Sequence, residues 1–107
     1  MTLACGKAKA AELPQLVELL GLLFVQEAEF SPNTRKQERA LRMILEDPSL
    51  GTVYVAREGK TVLAMVSVLE SVSTAEGGRA GLLEDMVVRP EARGRGVGKA
   101  LLDHAVD

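Results

Sequence analysis

The stretch "EDMVVRPEARGRGVGKALLDHA", Glu84 to Ala105, decides how this chain is read. It passes from an apolar, strand-like segment through alternating arginine and glycine into a helix-like segment. Just upstream the apolar period is two. "TVYVARE" (Thr52 to Glu58) reads as a strand, "GK" (Gly59, Lys60) as a hairpin turn and "TVLAMVSVLESV" (Thr61 to Val72) as a long second strand. "STAEGGRAG" (Ser73 to Gly81) reads as a loop and "LLEDMVV" (Leu82 to Val88) as a third strand. "RPEARGRG" (Arg89 to Gly96) then leads into a helix that turns Val97, Leu101, Leu102 and Ala105 inward.

Further upstream the period becomes helical. From Ala11 to about Glu29, Leu13, Leu16, Val17, Leu20, Leu23 and Phe24 share a face, with Pro14 in the tolerated first turn. Leu19, Leu22 and Val25 widen the stripe. "SPNT" (Ser31 to Thr34) interrupts it, and Thr34-x-x-Gln37 fits a capping box for a second helix with Leu41, Ile44 and Leu45 inward. Asp47-Pro48 ends that helix, because the residue before proline avoids the α region. "TLACGKAKA" at the start reads as a short edge strand. The order is β-α-α-β-β-β-α, an α/β chain of antiparallel strands flanked by helices. The expectation is a single domain over residues 1–107, cut within its last helix, since neither a C-cap glycine nor a polar tail follows.

A chain of 107 residues suits one small domain, and 47% hydrophobic content supports a core. With two Phe and one Tyr, that core is built from Leu, Val, Ala, Ile and Met. A net charge of -2 argues against a nucleic-acid binder, which shows a basic face. Arg89, Arg93, Arg95 and Lys99 nevertheless crowd one stretch, which suits a small anion. The lone Cys5 excludes an internal disulfide, and one Cys with one His argues against bound metal. "LVELLGLLFV" (Leu16 to Val25) is too short to span a membrane and contains Glu18; the expected location is the cytoplasm.

The Arg-Gly junction has a physical use. A helix start carries N–H groups without intrahelical partners and the positive end of the helix dipole. Glycines let an anion approach that backbone, so a strand–glycine loop–helix junction suits phosphate. Here Gly94, Gly96 and Gly98 provide clearance, and Arg93, Arg95 and Lys99 add charge. The loop is not a P-loop: Gly98-Lys99 fits the end of that motif, but Arg93 replaces its first glycine and Ala100 its Ser/Thr. Nor is it G-x-G-x-x-G, because Lys99 or Leu101 falls on the last glycine.

R-x-x-G-x-G does fit, on Arg93, Gly96 and Gly98. With these residues, Leu82 to Ala105 resembles the acetyl-CoA segment of the GNAT superfamily of N-acetyltransferases. The "LED" opening is similar to the polyamine and diamine acetyltransferases within it. The resemblance implies that Arg93, Gly94, Arg95, Gly96, Val97, Gly98 and Lys99 hold the acetyl-CoA pyrophosphate. It implies that the backbones of Met86, Val87 and Val88 pair with the pantetheine arm, as a peptide extends a sheet. It also implies an amine acceptor, and no metal.

Transfer to an amine needs that amine neutral, and a nearby carboxylate can take its proton. Glu84 is the candidate base or amine anchor. Strict alternation puts it on one face with Leu82, Met86 and Val88, and Asp85 on the other with Leu83 and Val87; a bulge would alter that phase. Asp85 is a second acidic candidate, and pairing with an arginine is its plainer reading. "QEAEFSPN" (Gln26 to Asn33) matches the region that borders the acceptor in the family, which singles out Glu27 and Phe30. Glu29 lies there too. An acidic helix end explains the same carboxylates. His104 and Tyr54 read as surface and sheet residues.

Members of the superfamily continue past this helix with a strand, a helix bearing a Tyr or Cys acid, and a hairpin. This sequence does not reach them, so no general acid is assigned. The third strand would expose an edge that invites pairing, so the expectation is a fragment of a longer enzyme or, if these residues are all there are, a half-domain completed by a second copy as a homodimer. Two readings stay open: an amine acetyltransferase, or a non-catalytic acyl-CoA-binding or interaction module.

Overall fold

A computed structural model describes residues 3–26 and 34–106, side chains of 24–26 aside. The candidate residues Glu27 and Phe30 lie outside the described residues. The elements are β1 (Leu3–Lys7), a 3-10 turn (Ala10–Glu12), α1 (Leu13–Gln26), α2 (Thr34–Glu46), β2 (Gly51–Glu58), β3 (Thr61–Ser73), β4 (Gly78–Val88), a second 3-10 turn (Pro90–Ala92) and α3 (Val97–Val106). The strands form one antiparallel sheet in the order β1-β2-β3-β4. The expected α/β order is therefore what the chain adopts.

Each face of the sheet has its own core. On one side α1 and α2 cover Val53, Val55, Val62, Met65 and Val87 with Leu13, Leu16, Leu19, Leu20 and Leu41. On the other, α3 lays Val97 and Leu101 on Ala56, Leu63, Ala64 and Val66, with Tyr54, Met86 and Val88 at the margin. Residues 62–67 of β3 are buried throughout, as the continuous apolar run there requires. Leu19, read as widening the α1 stripe, is in fact fully buried at its centre.

Three local expectations change. β4 begins at Gly78, not Leu82, because the long β3 pairs with it back to Ser73↔Gly78. Pairing overrides the low strand propensity of "GRAG" (Gly78 to Gly81). Thr34 is already helical, and Gln37 Oε1 is buried without a partner among the described residues, so Gln37 does not close a capping box on Thr34. Arg89, counted in the basic cluster, is largely buried: its Nε donates to Val62 O at 2.6 Å, its N–H to Leu63 O at 2.8 Å, and it pairs with Glu18. Its charge fastens the end of β4 to β3 and α1 instead of facing a ligand.

A second ion pair braces the start of the domain. Arg57 on β2 donates from Nε to Glu12 Oε2 at 2.8 Å, and from Nη2 to Glu12 Oε1 at 2.8 Å. The Arg57 hydrogen bond holds the Glu12 carboxyl below its usual range. Among the described residues no helix is long and apolar enough to cross a membrane.

Candidate functional site

The site is set by an irregularity in β4. Met65 pairs with Val87, but Ser67 pairs with Glu84, so Asp85 and Met86 together oppose Val66. That is a β-bulge, and Asp85 carries its left-handed backbone, φ 49°. Aspartate is among the few non-glycine residues that tolerate this region.

The bulge reverses the phase expected from alternation. Cross-strand partners share a face, so Glu84 and Leu82 follow Ser67 and Leu69 to the α1–α2 side, together with Val87. Met86 and Val88 belong with Leu83 on the α3 side. The expectation that grouped Glu84 with Met86 and Val88 is thus corrected; one extra residue accounts for it. We expect Asp85→Val to lower Tm by roughly 5–10 °C relative to Asp85→Gly. A left-handed β-branched residue costs about 1–2 kcal/mol, and 1 kcal/mol moves a domain of this size by about 4–8 °C. Thermal melts followed by circular dichroism check it, and equal melting of the two variants refutes it.

Past the bulge, backbone direction is fixed by one hydrogen bond. The Arg89 N–H donates inward to Leu63 O at 2.8 Å. N–H and C=O groups alternate in direction along an antiparallel strand. Val87 therefore turns its amide toward β3, whereas Val88 turns N–H and C=O to the open edge of the sheet. Arg93 Nε donates to Val88 O at 3.2 Å, in agreement. Of the three backbones matched to the pantetheine arm, Val88 presents its N–H to that edge, Val87 does not, and Met86 is part of the bulge.

The loop follows directly. Gly94 and Gly96 have φ of 80° and 75°, and a Cβ on either would meet nothing within 4 Å. They are glycines for conformation, with open space above the backbone. Gly98 differs: a Cβ there would lie 3.3 Å from Met86 Cε and 3.4 Å from Val88 Cγ2. Its bareness lets the head of α3 settle on the end of β4. Gly96 O accepts from the Ala100 N–H at 3.0 Å, which makes Gly96 the cap residue. The N–H groups of Val97, Gly98 and Lys99 then have no partner within the helix.

The side-chain cations do not gather over those amides. Lys99 Nζ pairs with Asp103 at 2.8 Å, which raises its pKa, and Arg95 Nη2 pairs with Glu58 at 3.1 Å. These pairs are exposed or half-exposed, so each is worth little and can be exchanged for a ligand. The fixed part of the cradle is backbone. A cavity of about 580 Å³ lies elsewhere, between residues 10–17 and α2, and none of these groups lines it. An open helix start is not a cavity, and its chemistry carries more weight here than concavity.

Glu84 is exposed, one strand away from the buried Ser67. Tyr54 and His104 meet edge to face at 5.6 Å on the α3 side, away from Glu84. Cys5 is half-buried, and burial pushes its thiol pKa up, the opposite of a reactive thiolate.

A bulged strand, an outward amide and a bared helix head now stand in sequence, and the profile of the acetyltransferase (GNAT) family matches residues 13–107. The chain belongs to that family. Among solved structures it is similar to an integron cassette protein from the mobile metagenome of Cole Harbour Salt Marsh, with TM-score 0.84 and 32% identity over 94% of this chain and 65% of that one. It is similar to glucosamine-6-phosphate N-acetyltransferase from Arabidopsis thaliana, with TM-score 0.76 and 25% identity over 100% of this chain and 74% of that one. A "predicted acetyltransferase with acetyl-CoA" from Clostridium acetobutylicum shares the fold, with TM-score 0.79 and 21% identity over 98% of this chain and 71% of that one. No curated protein matches the sequence. This GNAT chain thus spans 65% to 74% of the length of these three structures.

Proposed function

We propose that this GNAT chain, as one domain, serves transfer of an acetyl group from acetyl-CoA to an amine of a small molecule or protein. The observation that carries the reading is the continuity of the Val88 open-edge amide with the bared N–H groups of Val97, Gly98 and Lys99. An extended amide-bearing arm fits the first and a diphosphate fits the second. The C. acetobutylicum relative with acetyl-CoA supports the same ligand.

In this reading the Val88 N–H polarises the thioester carbonyl. The amine nitrogen attacks that carbon, the C–N bond forms and the C–S bond breaks, and coenzyme A leaves as its thiolate, which takes a proton from water. Glu84 takes the proton the amine sheds. Across the bulge it stands two to three positions of β3 from Val87 and Val88, the span from Ser67 to Met65 and Ala64, about 7–10 Å at the usual strand rise, so the proton crosses through water.

The test mixes the protein with acetyl-CoA and a panel of amines and measures free thiol. Amine-dependent thiol release is expected. Calorimetric binding of acetyl-CoA without release at any amine would instead make the chain a non-catalytic acyl-CoA-binding module, and absence of binding would overturn both.

A further inference from the structure

Ser67 is 1% exposed, and its Oγ has no hydrogen-bond partner among the described residues. A buried hydroxyl left unpaired is destabilising, so a strand would not ordinarily keep one where Ala or Val packs. Its surroundings name the missing partner. Across the sheet, Ser67 stands between Val53 on β2 and Glu84 on β4, all on the α1–α2 face. Along its own strand the next residue on that face is the buried Met65. Val53 is 2% exposed and apolar. Within that row Glu84 is the polar side chain, and directly opposed Cβ atoms lie about 4.5–5.5 Å apart. That spacing lets a hydroxyl meet a carboxylate after one rotamer change.

Resting on the acetyltransferase reading, we infer that Ser67 is a positioning residue. Its hydroxyl donates to the Glu84 carboxylate and holds it against the sheet when the acceptor amine is bound. The bulge makes this pairing. Without the extra residue at Asp85 and Met86, Glu84 would face the α3 side and Ser67 would oppose a different residue. An exposed carboxylate free to rotate is a poor base; one tethered at its root presents its second oxygen in a fixed direction.

A double-mutant cycle on thiol release tests the inference, with Ser67→Ala, Glu84→Gln and both together. Ser67→Ala is expected to lower kcat about tenfold with unchanged acetyl-CoA affinity. Its Tm should be equal or higher, because an unsatisfied buried hydroxyl has been removed. In the Glu84→Gln background the same change should have no further effect, since Ser67 acts through Glu84. Ser67→Thr, which keeps the hydroxyl, should recover most of the loss. Wild-type kcat in Ser67→Ala, or losses that multiply in the double variant, would overturn the inference. A parent protein without amine-dependent thiol release, or a Glu84→Gln variant as fast as the parent, would instead overturn the reading of Glu84 as base.

Discussion

Gly96→Val is expected to weaken acetyl-CoA binding by about 10²-fold or more while the domain stays folded. The fold survives because a Cβ at Gly96 meets nothing within 4 Å. What the substitution disturbs is the conformation, φ 75°, which costs a β-branched residue at least about 1–2 kcal/mol. The loop can relieve that strain only by turning the Gly96 peptide, which disperses the amides of Val97 and Gly98. Each hydrogen bond to a charged group is worth about 1.5–3 kcal/mol, so losing two removes about 3–6 kcal/mol, or roughly 10²–10⁴ in affinity. Calorimetry with acetyl-CoA and with S-acetylpantetheine, which lacks the diphosphate, separates the causes. Affinity for the first should fall and affinity for the second should hold. Equal losses for both would place the damage in the strand edge, and a loss under threefold for acetyl-CoA would remove the loop from the site. Gly96→Ala, with the same strain but less bulk, should fall between parent and Gly96→Val.

The order of elements was legible because each has a strong period. The apolar spacing of α1, the alternation at the start of β2 and the apolar run of β3 survive in the structure with boundaries moved by a few residues. The strand–loop–helix junction at Gly94, Gly96 and Gly98 was legible because glycines so spaced break a strand pattern where a helical one begins. The bulge was not, because a face assigned by strict alternation carries no mark of one extra residue. One signal was present: "LLEDMVV" holds an apolar pair and an apolar triplet around an acidic pair, and no period of two accommodates that. An aspartate in mid-strand, tolerant of the left-handed region, was the second half of the signal. Arg89 shows the opposite failure. Four cations close in sequence read as one basic spot, although a strand end, a helix head and a loop aim them differently. Glu12 and Arg57 are 45 residues apart, so only the packing of the first 3-10 turn against β2 reveals their pairing. Ser67 sits inside an apolar run, where a serine looks like a tolerated small residue until its register partner is known.

Glu84→Gln should cost about 10²–10⁴ in kcat at neutral pH, the usual contribution of a general base. The substitution preserves shape, and Glu84 is exposed, so Tm should change by no more than about 0.5 kcal/mol of stability allows. Acetyl-CoA affinity should not change, because the groups proposed to face the cofactor are the Val88 edge and the head of α3. The pH dependence distinguishes a proton acceptor from a charge that merely attracts the acceptor. An alkyl amine has a pKa near 10.4, so at pH 7 only about one molecule in 10³ is neutral. If Glu84 removes the proton, the variant must wait for amine that has already lost it. Its rate should then climb about tenfold per pH unit until the amine is neutral, and approach the parent near pH 10. If Glu84 only attracts a cation, the variant shows a raised KM, an unchanged kcat and no recovery at high pH. Initial rates of thiol release from pH 6.5 to 10 decide between the two. The second pattern would leave Glu84 as an anchor and the base unassigned.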